Sequence, residues 1–423
     1  MMMKTCNYIE LFAGVGGFHI GLDNANKDFF KCVLANQWEP SVKDQFAANI
    51  YKQRFPDDYL INDDICNVKG DDWVCDMMVF GNCCQDYSVV RSNTSSKGIE
   101  GKKGVLWWEI IRLITEMKVK PKYLLQENVD RMLISPSTQR GRDFALILKS
   151  LDDLGYDVEW RIINAAEYGF PQKRKRSFLF AWQRNLFDVK DLKEWVFKDG
   201  IFATSFPIKQ DYEMSLINEY QLMVPEDWDL AEISDKFNKG NKKYKTHKAF
   251  ENAGCLINGK IYTVKVTADY NGPYTNLGDI LATGDDRNLI TEDFYINETD
   301  IEKWSYVKGH KKIERVKKDG FRYIYNEGSM AFPDYLDRPA RTLITSEGNT
   351  TPNRFTHVIK DPINGRYRRL IPLELERIQM FPDNHTEGTT DKKRAFLMGN
   401  ALVTGIVTKI GEELYKRLKD ETN

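Results

Sequence analysis

From the first residues to about Trp182, short apolar runs alternate with stretches whose apolar side chains recur at helical spacing. The runs Tyr8–Phe12, Cys32–Asn36, Met77–Phe80, Tyr123–Leu125 and Ser177–Ala181 read as strands. Phe18–Asn24, Pro40–Phe55, Leu106–Met117 and Arg142–Leu154 read as helices, the last stopped by Gly155. Repeated strand-helix units predict an α/β fold with a parallel or mostly parallel sheet and ligands at the carboxyl ends of its strands. Between about Gln183 and Asn326 the periodicity fades. Tyr, Phe and Trp stay too frequent there for disorder, and turn signals such as Asn271-Gly272-Pro273 and Gly284-Asp285-Asp286 mark a folded insert. The compact style resumes after Arg338, with helices expected over Pro372–Met380 and Ala401–Arg417.

A chain of 423 residues accommodates one large domain and a smaller one. It has no apolar run approaching the roughly 18 residues of a membrane span. Its start is broken by Glu10 and glycines, unlike a secretory leader, so a soluble, cytoplasmic protein without a membrane partner is expected. Seven cysteines lie without CxxC spacing, which points to a reducing compartment and to neither a disulfide frame nor a metal site. The net charge of −1, from 61 basic and 62 acidic residues, does not by itself suggest a polyanionic partner. Two local basic runs, Lys236–Lys248 and Lys308–Lys318, matter only if other residues require one.

Candidate chemistry begins after the first strand, where Phe12 leads into Ala13-Gly14-Val15-Gly16-Gly17. Without Cβ atoms the backbone lets a ligand approach closely, and the amino end of the following helix offers N–H groups to a carboxylate. Dinucleotide enzymes and purely structural turns use similar glycines, so this signal leaves both open. Gln37 and Trp38 follow the second strand and offer a ribose partner and a flat surface for an adenine ring. Asp64 and Ile65 follow a third candidate strand and offer a carboxylate for an amino group and an apolar contact.

The segment Gly81-Asn82-Cys83-Cys84-Gln85-Asp86-Tyr87-Ser88 follows the Met77–Phe80 strand. A thiol there stands where active sites collect, but with an ordinary pKa of about 8.5 it needs activation. Glu127 closes the next strand and puts a carboxyl group on the same edge. The two are complementary toward a cytosine, whose carbon 6 accepts a nucleophile only when ring nitrogen 3 is protonated or strongly hydrogen-bonded. In Gln172-Lys173-Arg174-Lys175-Arg176 two arginines stand two residues apart. In a strand both would reach one face, suited to a phosphate and a carbonyl oxygen; a plain basic strand is the alternative.

The order of these segments, together with Asn128-Val129, Arg341-Thr342-Leu343-Ile344-Thr345 and Gly399-Asn400, resembles the DNA cytosine-5 methyltransferases over nearly the whole chain apart from the insert. The resemblance implies a Rossmann-like S-adenosylmethionine-dependent methyltransferase sheet with an inserted smaller target-recognition domain. Residues 1–182 would form the catalytic and cofactor domain, 183–326 the recognition domain, and 327–423 the hinge and the return to the catalytic domain. Cys84 would be the nucleophile, with Glu127, Arg174 and Arg176 as its catalytic partners. Phe12, Gly14, Gly16, Gly17, Gln37, Trp38, Asp64, Ile65, Leu106 and Asn400 would hold the cofactor. Gln85, Ser88, Asn128, Gln172, Arg341 and Thr345 would contact nucleic acid.

Two departures stand out. Cys83 replaces the family's usual proline, and Cys84 is taken as nucleophile because Gln85 and Ser88 keep their spacing to it. Gln37 replaces an acid, so cofactor binding is expected to be weaker unless Glu39 compensates.

The mechanism implied is base flipping, with the loop Ser88–Lys103 closing over the target and the insert reading a duplex sequence. The partners implied are double-stranded DNA and a restriction endonuclease encoded separately, with a monomeric enzyme. Rival readings are the transfer-RNA branch of the family, disfavoured by the long insert; a catalytically silent DNA-binding relative, suggested by Gln37 and Cys83; and a nicotinamide dehydrogenase, supported by the glycine turn alone.

Overall fold

A computed structural model describes residues 5–40, 42–81, 106–136, 140–210, 250–316 and 320–420. The chain divides into two compact units, one of residues 1–168, 175–272 and 404–423, the other of 169–174 and 273–403.

The first unit is built on a nine-stranded sheet. Its strands are β1 (Cys6–Leu11), β2 (Phe30–Asn36), β3 (Leu60–Ile61), β4 (Met77–Phe80), β5 (Tyr123–Val129), β6 (Tyr156–Asn164), β7 (Lys175–Gln183), β8 (Ala253–Ile257) and β9 (Lys260–Val264). They are ordered β3-β2-β1-β4-β5-β7-β6-β8-β9. From β3 to β5 every pairing is parallel. β7 runs antiparallel to both β5 and β6, and β8–β9 add an antiparallel hairpin to the β6 edge. The parallel arrangement expected from the sequence therefore holds from β3 to β5, while the other half of the sheet is antiparallel, with β7 and β8 running against the other strands. The four residues of β4 are all 0% exposed, because helices cover both faces of such a sheet.

Helix α1 (Gly17–Asn26) follows β1, and α2 (Phe46–Arg54), α3 (Leu106–Glu116) and α4 (Arg142–Asp153) follow in turn. In α3 the buried side chains are Trp107, Ile110, Leu113 and Ile114, while Arg112 bonds Glu109 and Glu116, each at 2.7 Å, on the outer face. α4 ends where expected, at Gly155, whose φ of +87° is left-handed. The helix expected from Pro40 begins only at Phe46. The Gln45 amide bonds the Glu39 N–H and the Glu39 and Val42 carbonyls, and so fixes the preceding residues as a loop. The final helix, Thr404–Asp420, belongs to this unit and packs on α1, where a Cβ at Gly21 would come within 2.5 Å of Val407.

Residues 183–210 and 250–272, assigned from sequence to the insert, lie in the first unit, and β8 pairs with β6. The second unit contains two hairpins, β10 (Lys311–Val316) with β11 (Arg322–Glu327) and β12 (Val358–Lys360) with β13 (Tyr367–Arg369). Its helices include Ile301–Lys308, Pro372–Ile378 and Asp391–Asn400. Among the described residues no helix is long and apolar enough to cross a membrane.

Candidate active site at the carboxyl edge of the sheet

In the order β2-β1-β4-β5 the chain leaves β1 toward β2 and returns through β4 on the other side, so the carboxyl ends of β1 and β4 flank a topological switch point. The turn after β1 is conformationally unusual: Phe12, Gly14 and Gly16 have φ of +55°, +59° and +83°. A bulky aromatic is rarely left-handed, and strain of this kind, about 1–3 kcal/mol, collects at functional sites. A Cβ at Gly14 would meet nothing within 4 Å, whereas one at Gly16 would come within 2.3 Å of the Phe55 ring. One glycine opens outward; the other is required for packing.

Behind the turn lies a polar network that the sequence reading missed. Glu10 is fully buried in β1, and its carboxylate accepts the Phe18 N–H at 3.2 Å, tying α1 to the strand. Burial raises its pKa from 4.5 to about 7, against the pull of His19 and the backbone N–H groups. His19 stacks on Phe55 with ring centroids 3.8 Å apart and lies between Asp58 and Asp23 at 3.1 and 3.4 Å. Burial opposes its charge, but those carboxylates raise its pKa to about 12. The ligand atoms of His19, Cys32 and Asp58 are within 4.8 Å of one another. The Tyr51 hydroxyl occupies their centre, 3.2 Å from His19 Nδ1, 2.9 Å from Asp58 and 3.6 Å from Cys32, so the cluster is an ion network that braces the turn. An acid inside an apolar strand was the available signal for it.

The proposed cofactor residues occupy varied positions. Trp38 and Asp64 are half-buried past the ends of β2 and β3, and Asp64 also caps the short turn Ile65–Asn67 through the Cys66 N–H at 3.0 Å. Leu106 opens α3, half-buried against the main core, and Asn400 is exposed at the end of its helix. Two expectations are revised. The Gln37 side chain, read as a ribose partner, accepts the Gly14 N–H at 2.7 Å and holds the glycine turn. Ile65 is 3% exposed within the core cluster.

Cys83, Cys84, Gln85, Ser88 and the loop Ser88–Lys103 lie outside the described residues, as does the basic run Lys236–Lys248. The last described residue before them is Gly81, where a Cβ would stand 3.8 Å from a Glu127 carboxylate oxygen. Glu127 itself pairs with Arg176 at 3.0 Å, both side chains being largely buried. Sheet register produces this contact: Arg176 stands opposite Val129, two residues beyond Glu127 and therefore on the same face.

Arg174 does not share that face. It precedes β7, is 2% exposed, and donates to the carbonyls of Leu343 and Gly399 at 3.0 and 3.2 Å. The expectation that it grips a phosphate is corrected: its donors serve the backbone of the second unit. Gln172, read as a nucleic-acid contact, is 0% exposed and bonds Gln379 at 3.0 Å and the Leu343 N–H at 2.9 Å. Arg341 is tied to Asp334 at 2.5 Å, and Asn128 is 1% exposed with its side chain accepting the Val129 N–H. Thr345 is exposed. Of the basic run Lys308–Lys318, Lys308 is fully buried against Asp334 at 3.2 Å.

A switch-point crevice, a glycine turn and a reversed β7 define a Rossmann-like methyltransferase fold. A methyltransferase of Entamoeba histolytica, EhMeth, shares it at a TM-score of 0.59 and 16% identity over 98% of this chain and 99% of that one. The sequence profile of the C-5 cytosine-specific DNA methylases matches residues 6–416. The type II methyltransferase M.Sau3AI of Staphylococcus aureus is 43% identical over 422 residues, 98% of this chain and 96% of that protein. M.NlaIV of Neisseria lactamica is 30% identical over 42% of this chain and 41% of its own length. The chain belongs to the C-5 cytosine-specific DNA methylase family and is a DNA cytosine-5 methyltransferase. The dehydrogenase reading of its glycine turn falls with that match.

Proposed function

We propose that the chain methylates carbon 5 of a cytosine flipped out of a specific duplex sequence, with S-adenosylmethionine as donor, as the modification half of a restriction-modification pair. The observation that carries the reading is Glu127, oriented by Arg176 at 3.0 Å and beside Gly81, three residues before Cys84. The donor suits the turn, because Gly14 faces open space while Gly16 is filled from behind. Phe12, Gly14, Gly16, Gly17, Trp38, Asp64 and Leu106 would hold it, and when bound it supplies a methyl group made electrophilic by a positive sulfur.

Cys84 adds as thiolate to carbon 6 while Glu127 supports the proton on ring nitrogen 3, so the electron pair released by addition resides at carbon 5. That pair forms the bond to the methyl group; a solvent water then takes the carbon 5 proton, the C–H pair forms the carbon 5–carbon 6 double bond as the thiolate leaves carbon 6, and the proton on ring nitrogen 3 returns to Glu127. Arg176 keeps the Glu127 carboxyl turned toward the base. The second unit would carry sequence recognition.

Bisulfite sequencing of a plasmid expressed with the gene tests the reading. Fully protected cytosines at one recurring sequence are expected, lost in Cys84→Ala while binding of the donor persists. Methylation of transfer RNA in preference to duplex DNA, or an unprotected plasmid, would overturn it.

A further inference from the structure

The hairpin β10–β11 forms a sheet of two strands in the second unit. Its root is fixed. Arg354 pairs with Glu327 at 3.3 Å and donates to the carbonyls of Gly309 and Gly328, and the Met330 N–H donates to the carbonyl of buried Lys308. The register pairs Lys312 with Asn326, Glu314 with Ile324 and Val316 with Arg322, so these six side chains share one face. All six are exposed, with Ile324 at 69% and Val316 at 60%. On the opposite face Lys311, Tyr323, Tyr325 and Glu327 are half-buried, and Arg315 lies 3.8 Å over the Tyr325 ring.

A two-stranded ribbon has marginal stability alone, and exposed β-branched residues beside open strand edges invite association. The charge on the described hairpin selects the partner. Both of its acids are paired, Glu314 with Arg322 and Glu327 with Arg354, which leaves the cations in excess and favours a polyanion. The shape narrows it further: strands about 4.8 Å apart with their side chains make a ribbon that enters a duplex major groove of ~12 Å but not a minor groove of ~6 Å.

We propose that the face formed by Lys312, Glu314, Val316, Arg322, Ile324 and Asn326, on which Arg322 pairs with the one carboxylate, Glu314, enters the major groove of the substrate duplex and sets the sequence that is methylated. Asn326 is suited to the paired donor and acceptor of an adenine edge, Lys312 to the acceptors of guanine, and Ile324 to a thymine methyl. The inference rests on the proposed function and assigns its sequence reading to one element.

The test is methylation of a randomised duplex library by the full-length enzyme, read by bisulfite sequencing, for wild type, Asn326→Ala and Lys312→Ala. Each variant is expected to lose about 10- to 100-fold discrimination at one base position. Its unfolding midpoint and donor binding should match wild type, as befits an exposed residue. An Ile324→Ala variant should raise KM for DNA several-fold with kcat nearly unchanged. Variants that methylate the wild-type sequence set with unchanged KM would overturn the assignment, and so would a switch in oligomeric state without a change in specificity, which would make the face a contact between copies. A wild-type enzyme that methylates no duplex would instead overturn the proposed function.

Discussion

The two units are held together in different ways. In the first, one continuous apolar cluster runs through β1, β4, β5, α3 and α4, and strands such as β4 are apolar on both faces. In the second, apolar clusters are small, for example Ala282, Phe294, Ile371 and Leu373. Charged side chains lie between them. Arg368, 0% exposed, bonds Asp361 at 2.7 Å and both oxygens of Glu374 at 2.7 and 2.8 Å, and Glu374 also accepts the Ala282 and Ile371 N–H groups. Asp334 joins Lys308 and Arg341 in the same manner. Hydrophobic burial is tolerant of exact partners, whereas a desolvated ion pair depends on each member, so the apolar positions of β4 and α3 should absorb changes that Arg368 and Asp334 do not.

Arg368→Ala should break this contrast most strongly. It removes the guanidinium bonded to both oxygens of buried Glu374 and leaves Asp361 with Arg287 at 3.2 Å, at a cost of about 3–5 kcal/mol. Urea unfolding followed by hydrogen exchange should show 273–403 opening first while the sheet strands keep their protection. Loss of protection in both units together would mean that they do not differ as described.

Gly16→Ala probes the turn after β1. The left-handed φ of +83° and the 2.3 Å approach to Phe55 both oppose a Cβ. Destabilisation of about 1–3 kcal/mol is expected, together with a raised KM for the methyl donor. Gly14→Ala has only the left-handed φ of +59° to oppose it and should cost less stability.

A further difference between the units is one of pH. Burial raises Glu10 and Glu159 from 4.5 to about 7, so each prefers to be neutral in the folded state. Their stabilising contribution is complete below pH 4.5 and lost as pH rises through about 7. Asp334 behaves oppositely: despite burial, His357 and Arg341 hold it well below 3.8, and it contributes fully above that value. Between pH 4.5 and 7 the first unit should therefore lose stability and the second should not. Glu10→Gln with Glu159→Gln should flatten that slope in a thermal melt, and an unchanged slope would count against the assignment.

The same contrast explains what could be read from the sequence. Strands β1, β2, β4 and β7 and helices α1, α3 and α4 appear near the expected positions because continuous apolar runs and 3.6-residue spacing report burial directly. β6 was not expected, since Asp157, Glu159 and Arg161 are buried within it and make it look polar. The helix Asp391–Asn400 was missed as well; it opens on Asp391, Lys392, Lys393 and Arg394. In the candidate site, the left-handed glycine turn and Glu127 stand at strand ends, where position in the sequence put them, whereas the two-residue spacing of Arg174 and Arg176 did not bring those side chains to one face. Arg174, Gln172 and Gln37 were misread for one reason. A polar side chain in a motif looks the same whether it faces a ligand or bonds the backbone, and these three do the latter.

In the proposed reaction Cys84 bonds to carbon 6 of a cytosine that Glu127 renders receptive. Duplex substrate containing 5-fluorocytosine tests it, because fluorine at carbon 5 blocks release of the enzyme. Wild type and Cys83→Ala should give a denaturant-resistant protein–DNA adduct, Glu127→Gln should form it about 100-fold or more slowly, and Cys84→Ala should give none. An adduct that persists in Cys84→Ala would place the nucleophile at another residue, and its absence from wild type supplied with the methyl donor would rule out covalent addition to carbon 6.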